Sequence, residues 1–249
     1  MAYGICHLGI VPLRLEPSHT SSMVNQVLYG DAFKVTEKRK FWSKIRLYND
    51  KCEGFIDNKQ FKVINKETYK TYCRLDSSLS KDLCDFITDE IGNLQTIVTG
   101  SNINAVKLFK HQFEGAVINF PIKEKNIAST AYSFLNTAEL KGGRTPFGID
   151  SSGFTQLVYN LNGIHLSRSA PEQALEGEVL SFIEEAAPGD LAFFDNNDGD
   201  IIHVGIILEN HHIIHAFGKV RIDRIDQSGI YNQELNEHTH KLRVIKKIL

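Results

Sequence analysis

The sequence predicts an α+β protein in which a small β-barrel precedes a mixed helix-and-strand domain. Three observations carry that expectation. Residues 1–65 hold only short, strand-length runs divided by turn residues. A strongly amphipathic helical pattern follows Asp150. Beyond Pro188-Gly189-Asp190 the chain returns to strands. The 249 residues suffice for one large domain or two to three small ones, and 42% hydrophobic with 23% charged residues is ordinary for a globular chain.

Taken in order, the first strand is Val11-Pro12-Leu13-Arg14-Leu15, followed by the turn-rich Glu16-Pro17-Ser18-His19-Thr20-Ser21. Met23-Val24, Phe33-Lys34-Val35, Trp42 to Leu47 and Glu53 to Asp57 are the next strands, with a turn at Tyr29-Gly30-Asp31. Trp42, Lys44 and Arg46 alternate imperfectly with Ser43, Ile45 and Leu47, but the run length suits a strand better than a helix. Residues 66–122 support only a small, mostly β segment, in which a turn at Asp89 to Leu94 divides Leu83–Ile87 from Leu94–Val98. Ile127 to Leu135 reads as a helix leading to Gly142-Gly143. Phe154, Leu157, Val158 and Leu161 recur at i, i+3, i+4 and i+7, one face of a helix that Asn162-Gly163 ends. Leu191–Phe194, His203–Leu208 and Ile213–Phe217 are the strands that follow.

Charge and composition exclude several function classes. A formal charge of −2 gives no electrostatic reason for a nucleic-acid or anionic-membrane partner. No apolar run approaches the roughly 20 residues that span a bilayer. The start, Met-Ala-Tyr-Gly-Ile-Cys-His, lacks the basic-then-apolar pattern of a secretory signal, so a cytoplasmic location is expected, or a periplasmic one if a leader has been removed. Cys6, Cys52, Cys73 and Cys84 form no CxxC pair and read as free thiols. His211-His212 and His238-Thr239-His240 lack a companion cysteine or carboxylate at ligand spacing and read as turn and surface residues. Neither a metal nor a cofactor is expected.

The order Pro12-Leu13-Arg14-Leu15-Glu16-Pro17-Ser18, Trp42-Ser43-Lys44-Ile45, Gly54-Phe55-Ile56 resembles bacterial SH3 (SH3b) domains. Three later segments together resemble the NlpC/P60 family of cell-wall peptide hydrolases. These are Gly143 to Phe154, containing Asp150-Ser151-Ser152-Gly153-Phe154 where the family has Asp-Cys-Ser-Gly-Phe; Pro188 to Phe194 with Ile202-His203-Val204-Gly205-Ile206; and Ile213-Ile214-His215-Ala216. The resemblance implies an SH3b domain over 1–65, a second, diverged SH3b-like domain over 66–122, and a papain-like NlpC/P60 domain over 123–249. Carried over by position, Ser151 stands at the nucleophile, His203 at the base and His215 at the residue orienting it. Asp150 and Ser152 flank the nucleophile and help hold substrate in relatives, and Glu16 matches a glutamate that pairs with the amine of an N-terminal L-Ala.

Elementary chemistry agrees with that assignment. Residue 151 lies where a loop becomes a helix, so free N–H groups and the positive end of the helix dipole face it. A three-residue loop after Leu208 sets Leu208 opposite His212 and therefore Gly205 opposite His215. His203 is then the diagonal neighbour of His215 on one face, within side-chain reach, and Gly205 leaves room for one imidazole over the other. Each residue alone has a bland reading: Ser151 as a helix cap, His203 as a surface histidine. Their joint order selects the catalytic one.

The departures cluster at the same place. Ser151 cannot be ionised in advance as a thiol can, so attack needs the base throughout. Ala138-Glu139-Leu140-Lys141 replaces a Pro-Tyr-x-Trp run, Leu166-Ser167-Arg168-Ser169 replaces Leu-Pro-Arg-Asp, and Cys52 stands where an aromatic is common. Two functions are therefore expected as alternatives. One is an impaired hydrolase of the γ-D-Glu–diamino-acid bond in muropeptides; the other is a non-catalytic binder of a muropeptide or other small peptide on the same fold.

Overall fold

The computed structural model describes residues 2–122 and 125–248. The chain forms two compact units, Met1–Lys123 with Lys141–Pro146 and Glu124–Leu140 with Phe147–Leu249.

The first unit is built on β1 (Ala2–Ile5), β2 (Ile10–Arg14), β3 (Met23–Leu28), β4 (Ala32–Lys38), β5 (Trp42–Leu47), β6 (Glu53–Asp57) and β7 (Lys62–Ile64). They join in the order β3-β2-β6-β5-β4-β1-β7, every pair antiparallel. Val11, Leu13, Val27, Phe33, Val35, Ile45, Leu47 and Ile56 enclose its core. Period-two alternation explains β5: Ser43, Ile45 and Leu47 point inward, and the buried Ser43 hydroxyl donates to Asn58 Oδ1 at 2.6 Å. Strands β5 and β6 lie where the pattern sets them. β1 and β7, four and three residues long, are too short to show it. Gly4 of β1 has a packing reason, because a Cβ there would stand 2.4 Å from the Phe33 ring.

Residues 66–122 contain α1 (Lys66–Tyr72), β8 (Ser78–Ser80), β9 (Cys84–Thr88), β10 (Leu94–Val98), α2 (Ala105–Phe109) and β11 (Val117–Asn119). β9 and β10 form the hairpin expected around Asp89–Leu94, while β8 pairs with β11. The helices are a finding of the structure. Asn65 caps α1 by accepting the Thr68 N–H at 2.8 Å. Tyr69, Tyr72, Ile87, Ile97 and Ala105 share one core cluster with Tyr3, Ile5, Tyr29 and Ala32, so this region packs with β1 and β4 inside one unit. Arg144, on the short strand β12 (Arg144–Thr145), belongs to the same unit. Buried there, it donates from Nε to Gln26 O at 2.7 Å and pairs with Asp31.

The second unit carries α3 (Ile127–Tyr132), β13 (Gly148–Ile149), α4 (Ser151–Leu161), α5 (Ala170–Gln173), β14 (Glu178–Leu180), β15 (Leu191–Asp195), β16 (Ile201–Leu208), β17 (His212–Phe217), β18 (Lys219–Asp226), β19 (Gly229–Asn232) and β20 (Glu237–Lys247). β20 pairs with β15 along its later residues and with β19 along its earlier ones, so β15 to β20 close into a six-stranded antiparallel barrel, with β14 added on β20. Ala192, Phe194, Ile207, Ile213, Ile225, Ile230 and Ile245 form one core cluster of this barrel. α4 packs against β16 and β17, flanked by α3 and α5. The sequence pattern gives α4 one apolar face; in the fold it is enclosed on nearly every side, only Asn160 escaping burial. Its polar members are accommodated by hydrogen bonds, Thr155 Oγ1 donating to Gln173 Oε1 at 2.7 Å. Among the described residues no helix is long and apolar enough to cross a membrane.

Candidate active site

The site begins at the first turn of α4. Asp150 is the N-cap, accepting the Gly153 N–H at 2.7 Å. Arg168, itself 6% exposed, grips the same carboxylate with both arms: Nη1 donates to Oδ1 at 2.9 Å and Nη2 to Oδ2 at 2.8 Å. Nη1 also donates to Ser152 Oγ at 2.9 Å. Such a fork holds a carboxylate in both position and plane. Both oxygens of Asp150 are thus engaged in holding the helix start, and Ser152 is tied to the same guanidinium. Ser151, the first helical residue, is buried at the helix end where partial positive charge collects.

The second half lies on the strands that α4 packs against. β16 and β17 pair with Gly205 opposite His215 and Leu208 opposite His212, the register the loop length predicts. His203 Nε2 and His215 Nδ1 stand 2.8 Å apart, a direct hydrogen bond. A Cβ on Gly205 would come within 2.9 Å of the His215 Cβ and 2.7 Å of Ile213 Cδ1, so glycine is required for the imidazoles to meet. His215 Nε2 continues to Asp223 Oδ2 at 3.1 Å. Asp223 in turn accepts from Arg221 Nε at 2.7 Å and Nη2 at 3.1 Å, and Arg221 Nη1 reaches Glu234 at 2.8 Å.

Burial sets the protonation of these groups. It holds His203 well below the usual imidazole range, with repulsion from His215 and His240 adding to the effect. Burial also lowers His215, against the pull of Asp223. For Asp223 burial acts upward, but the hydrogen bonds from His215 and Arg221 outweigh it and the carboxyl stays below its ordinary value. Neutral imidazole beside ionised carboxylate is the form a general base needs.

His240 corrects the surface reading given to it by sequence. Its ring lies against His203 with centroids 4.1 Å apart and planes tilted by 30°, and burial lowers it to about 4. His203, His215 and His240 offer nitrogens within 4.8 Å of one another, the group best placed to hold a metal among the described residues. The near-parallel stacking of His203 on His240 sets their in-plane lone pairs side by side rather than toward one point, and the closest contact is already a hydrogen bond. The arrangement suits proton transfer better than metal ligation.

Of the residues expected from sequence, the fold brings His203 and His215 together and places Ser151, Asp150 and Ser152 at the start of the helix packed on their strands. Glu16 belongs to the first unit, in the exposed loop after β2. Arg168, Asp223, Arg221 and His240 were missed as site residues. Asp223 had a signal: a tight turn at Gly218 pairs Phe217 with Lys219, hence Ile213 with Asp223, making Asp223 the diagonal neighbour of His215. His240 had none, since barrel closure brings it in.

Comparison with known proteins agrees with both halves of the chain. Residues 140–243 match the NlpC/P60 family and residues 11–73 the bacterial SH3 domain. The chain is similar to the probable endopeptidase p60 of Listeria seeligeri, 40% identical over 104 residues, covering 41% of this chain and 20% of that protein. It is 31% identical over 135 residues to dipeptidyl-peptidase 6 of Lysinibacillus sphaericus, covering 52% and 45% respectively. The γ-D-glutamyl-L-lysine dipeptidyl-peptidase of Bacillus subtilis is 33% identical over 94 residues, 37% of this chain and 31% of that one. The chain thus spans less than half the length of each. Among solved structures, an NlpC/P60 family protein from Bacillus cereus superposes with TM-score 0.78 at 15% identity, covering 99% of both chains. An NlpC/P60 endopeptidase from Photobacterium damselae gives 0.65 at 14% identity, covering 97% of this chain and 70% of its own. At these identities the two structures speak for the fold.

Proposed function

The chain carries a bacterial SH3 domain and, after it, an NlpC/P60 domain of the cell-wall peptidase family, and from that premise we propose that it recognises muropeptides and hydrolyses the amide between γ-D-Glu and the diamino acid, slowly, through Ser151. The observation that carries this reading is the 2.8 Å hydrogen bond between His203 and His215 on the strands supporting α4. In the proposed reaction Ser151 Oγ attacks the amide carbonyl while His203 takes its proton. The tetrahedral oxyanion forms beside the free N–H groups of the helix start. His203 returns the proton to the departing amine, and water hydrolyses the acyl-serine by the same route. His215 holds the base in place.

Serine makes this slow. Its proton must leave during the attack, whereas a cysteine would already be thiolate beside imidazolium. The same residue favours a second reading, a domain that binds the peptide without cutting it. Recognition of the peptide amine by Glu16 and action on recycled peptides in the cytoplasm belong to the proposal. Calorimetry with L-Ala-γ-D-Glu-diaminopimelate tests recognition: saturable heat is expected, weaker for Glu16→Ala, and no heat at millimolar peptide would overturn both readings. Prolonged incubation followed by mass spectrometry separates them, since cleavage products support the slow hydrolase and intact peptide the binder.

A further inference from the structure

We propose that Asp223 is a positioning residue that fixes the tautomers of His215 and His203 in series, so that Nδ1 of His203 is the basic nitrogen of the site. The inference rests on reading this site as an acid–base centre, and it follows from donors and acceptors alone. Arg221 carries its charge at every accessible pH and can only donate. Its Nε and Nη2 both bond to Asp223, at 2.7 and 3.1 Å, and Glu234 anchors the remaining arm at 2.8 Å. A carboxylate held in that fork is ionised and only accepts.

His215 Nε2, 3.1 Å from Asp223 Oδ2, must therefore carry the proton. The other nitrogen of a neutral imidazole is then a lone pair, so His215 Nδ1 accepts. At 2.8 Å its partner, His203 Nε2, has to be the donor. That leaves His203 Nδ1 unprotonated, and no described residue is hydrogen-bonded to it. One carboxylate, two hydrogen bonds away, decides which atom of the base is reactive.

The geometry is built rather than incidental. Gly205 faces His215 and His215 faces Arg221, so His203, His215 and Asp223 occupy successive diagonals across β16, β17 and β18 on one face. Other groups act on the chain without offering a competing acceptor to His215. His240 stacks on His203 at 4.1 Å, Phe217 lies parallel to His215 with centroids 6.4 Å apart, and Glu139 acts on His215 only through its charge.

The test is the protonation state of each ring nitrogen in the full chain labelled with 15N-histidine, read by long-range 1H–15N correlation at pH 7.5. His203→Gln and His215→Gln assign the signals. Pyridine-like Nδ1 with pyrrole-like Nε2 is expected for both His203 and His215. A proton on His203 Nδ1 would overturn the proposal, and this wild-type result decides even if a variant fails to fold. In folded Asp223→Asn, whose amide can donate as well as accept, the tautomers of both rings are expected to shift; unchanged rings would equally overturn it. Within Ser151→Cys, adding Asp223→Asn is expected to slow iodoacetamide alkylation of the thiol at pH 7 at least tenfold and to move its pH midpoint upward. Unchanged alkylation would count against the relay. No muropeptide enters any of these measurements, so failure to cleave peptide refutes the proposed function and leaves the tautomer assignment to stand or fall separately.

Discussion

The two halves of the site are built on different principles. At the start of α4, Asp150 and Arg168 hold the backbone and Ser152 through direct hydrogen bonds. On the barrel, His203, His215, Asp223 and Arg221 form a chain in which each hydrogen bond fixes the next. A single-atom change at position 151 therefore leaves its scaffold intact, whereas a change at any link of the imidazole chain is transmitted along it. On the proposed function, position 151 is the part of such a site that can be exchanged most cheaply.

That difference can be broken from either side. The largest effect is expected from removing the base: in a Ser151→Cys background, His203→Ala lowers peptide cleavage by about 10²–10⁴-fold, measured by product formation under saturating peptide. A loss below threefold would mean the strand half does no chemistry. Next is the ground beneath the nucleophile. Phe154, fully buried in α4, is expected to cost about 3–5 kcal/mol of folding stability as Phe154→Ala in urea denaturation. Arg168→Ala leaves the Asp150 carboxylate without its fork and is expected to cost about 1–3 kcal/mol; a change inside experimental error would show that Asp150 alone holds the helix start.

Acid separates the halves by charge. His203, His215 and His240 titrate in the fold below their ordinary 6.5, His240 at about 4. The unfolded chain thus binds protons that the folded chain refuses, and stability falls as pH drops below 6.5, the His240 contribution being lost by about pH 4. A urea midpoint lower at pH 5 than at pH 7.5 is expected, and a higher one would contradict neutral buried imidazoles. The smallest effect belongs to Glu16→Ala, an exposed loop position expected to change stability by less than about 0.5 kcal/mol while weakening peptide binding.

What the sequence made legible was local. The loop of Glu209-Asn210-His211 fixed the β16–β17 register, and with it the meeting of His203 and His215. The recurrence of Phe154, Leu157, Val158 and Leu161 gave α4. α1 and α2, seven and five residues long, are too short to show helical periodicity. β20 was hidden for another reason: its exposed charges blur alternation, and its partners β15 and β19 are set by closure of the barrel. His240 was lost with it. Arg168 stands where the family run Leu-Pro-Arg-Asp also has arginine, but the altered Ser167 and Ser169 drew the reading to the departure, and the fork on Asp150 is not revealed by spacing.

On the proposed function the base half is intact and serine alone limits the chemistry. Mass spectrometry of L-Ala-γ-D-Glu-diaminopimelate incubated with the wild-type protein and, in parallel, with Ser151→Cys tests it most directly. Rapid release of the diamino acid by the variant, with only trace or no release by the wild type, is the predicted result. Silence from both would contradict it, and would place the block in the altered flanks around the site rather than in one oxygen atom.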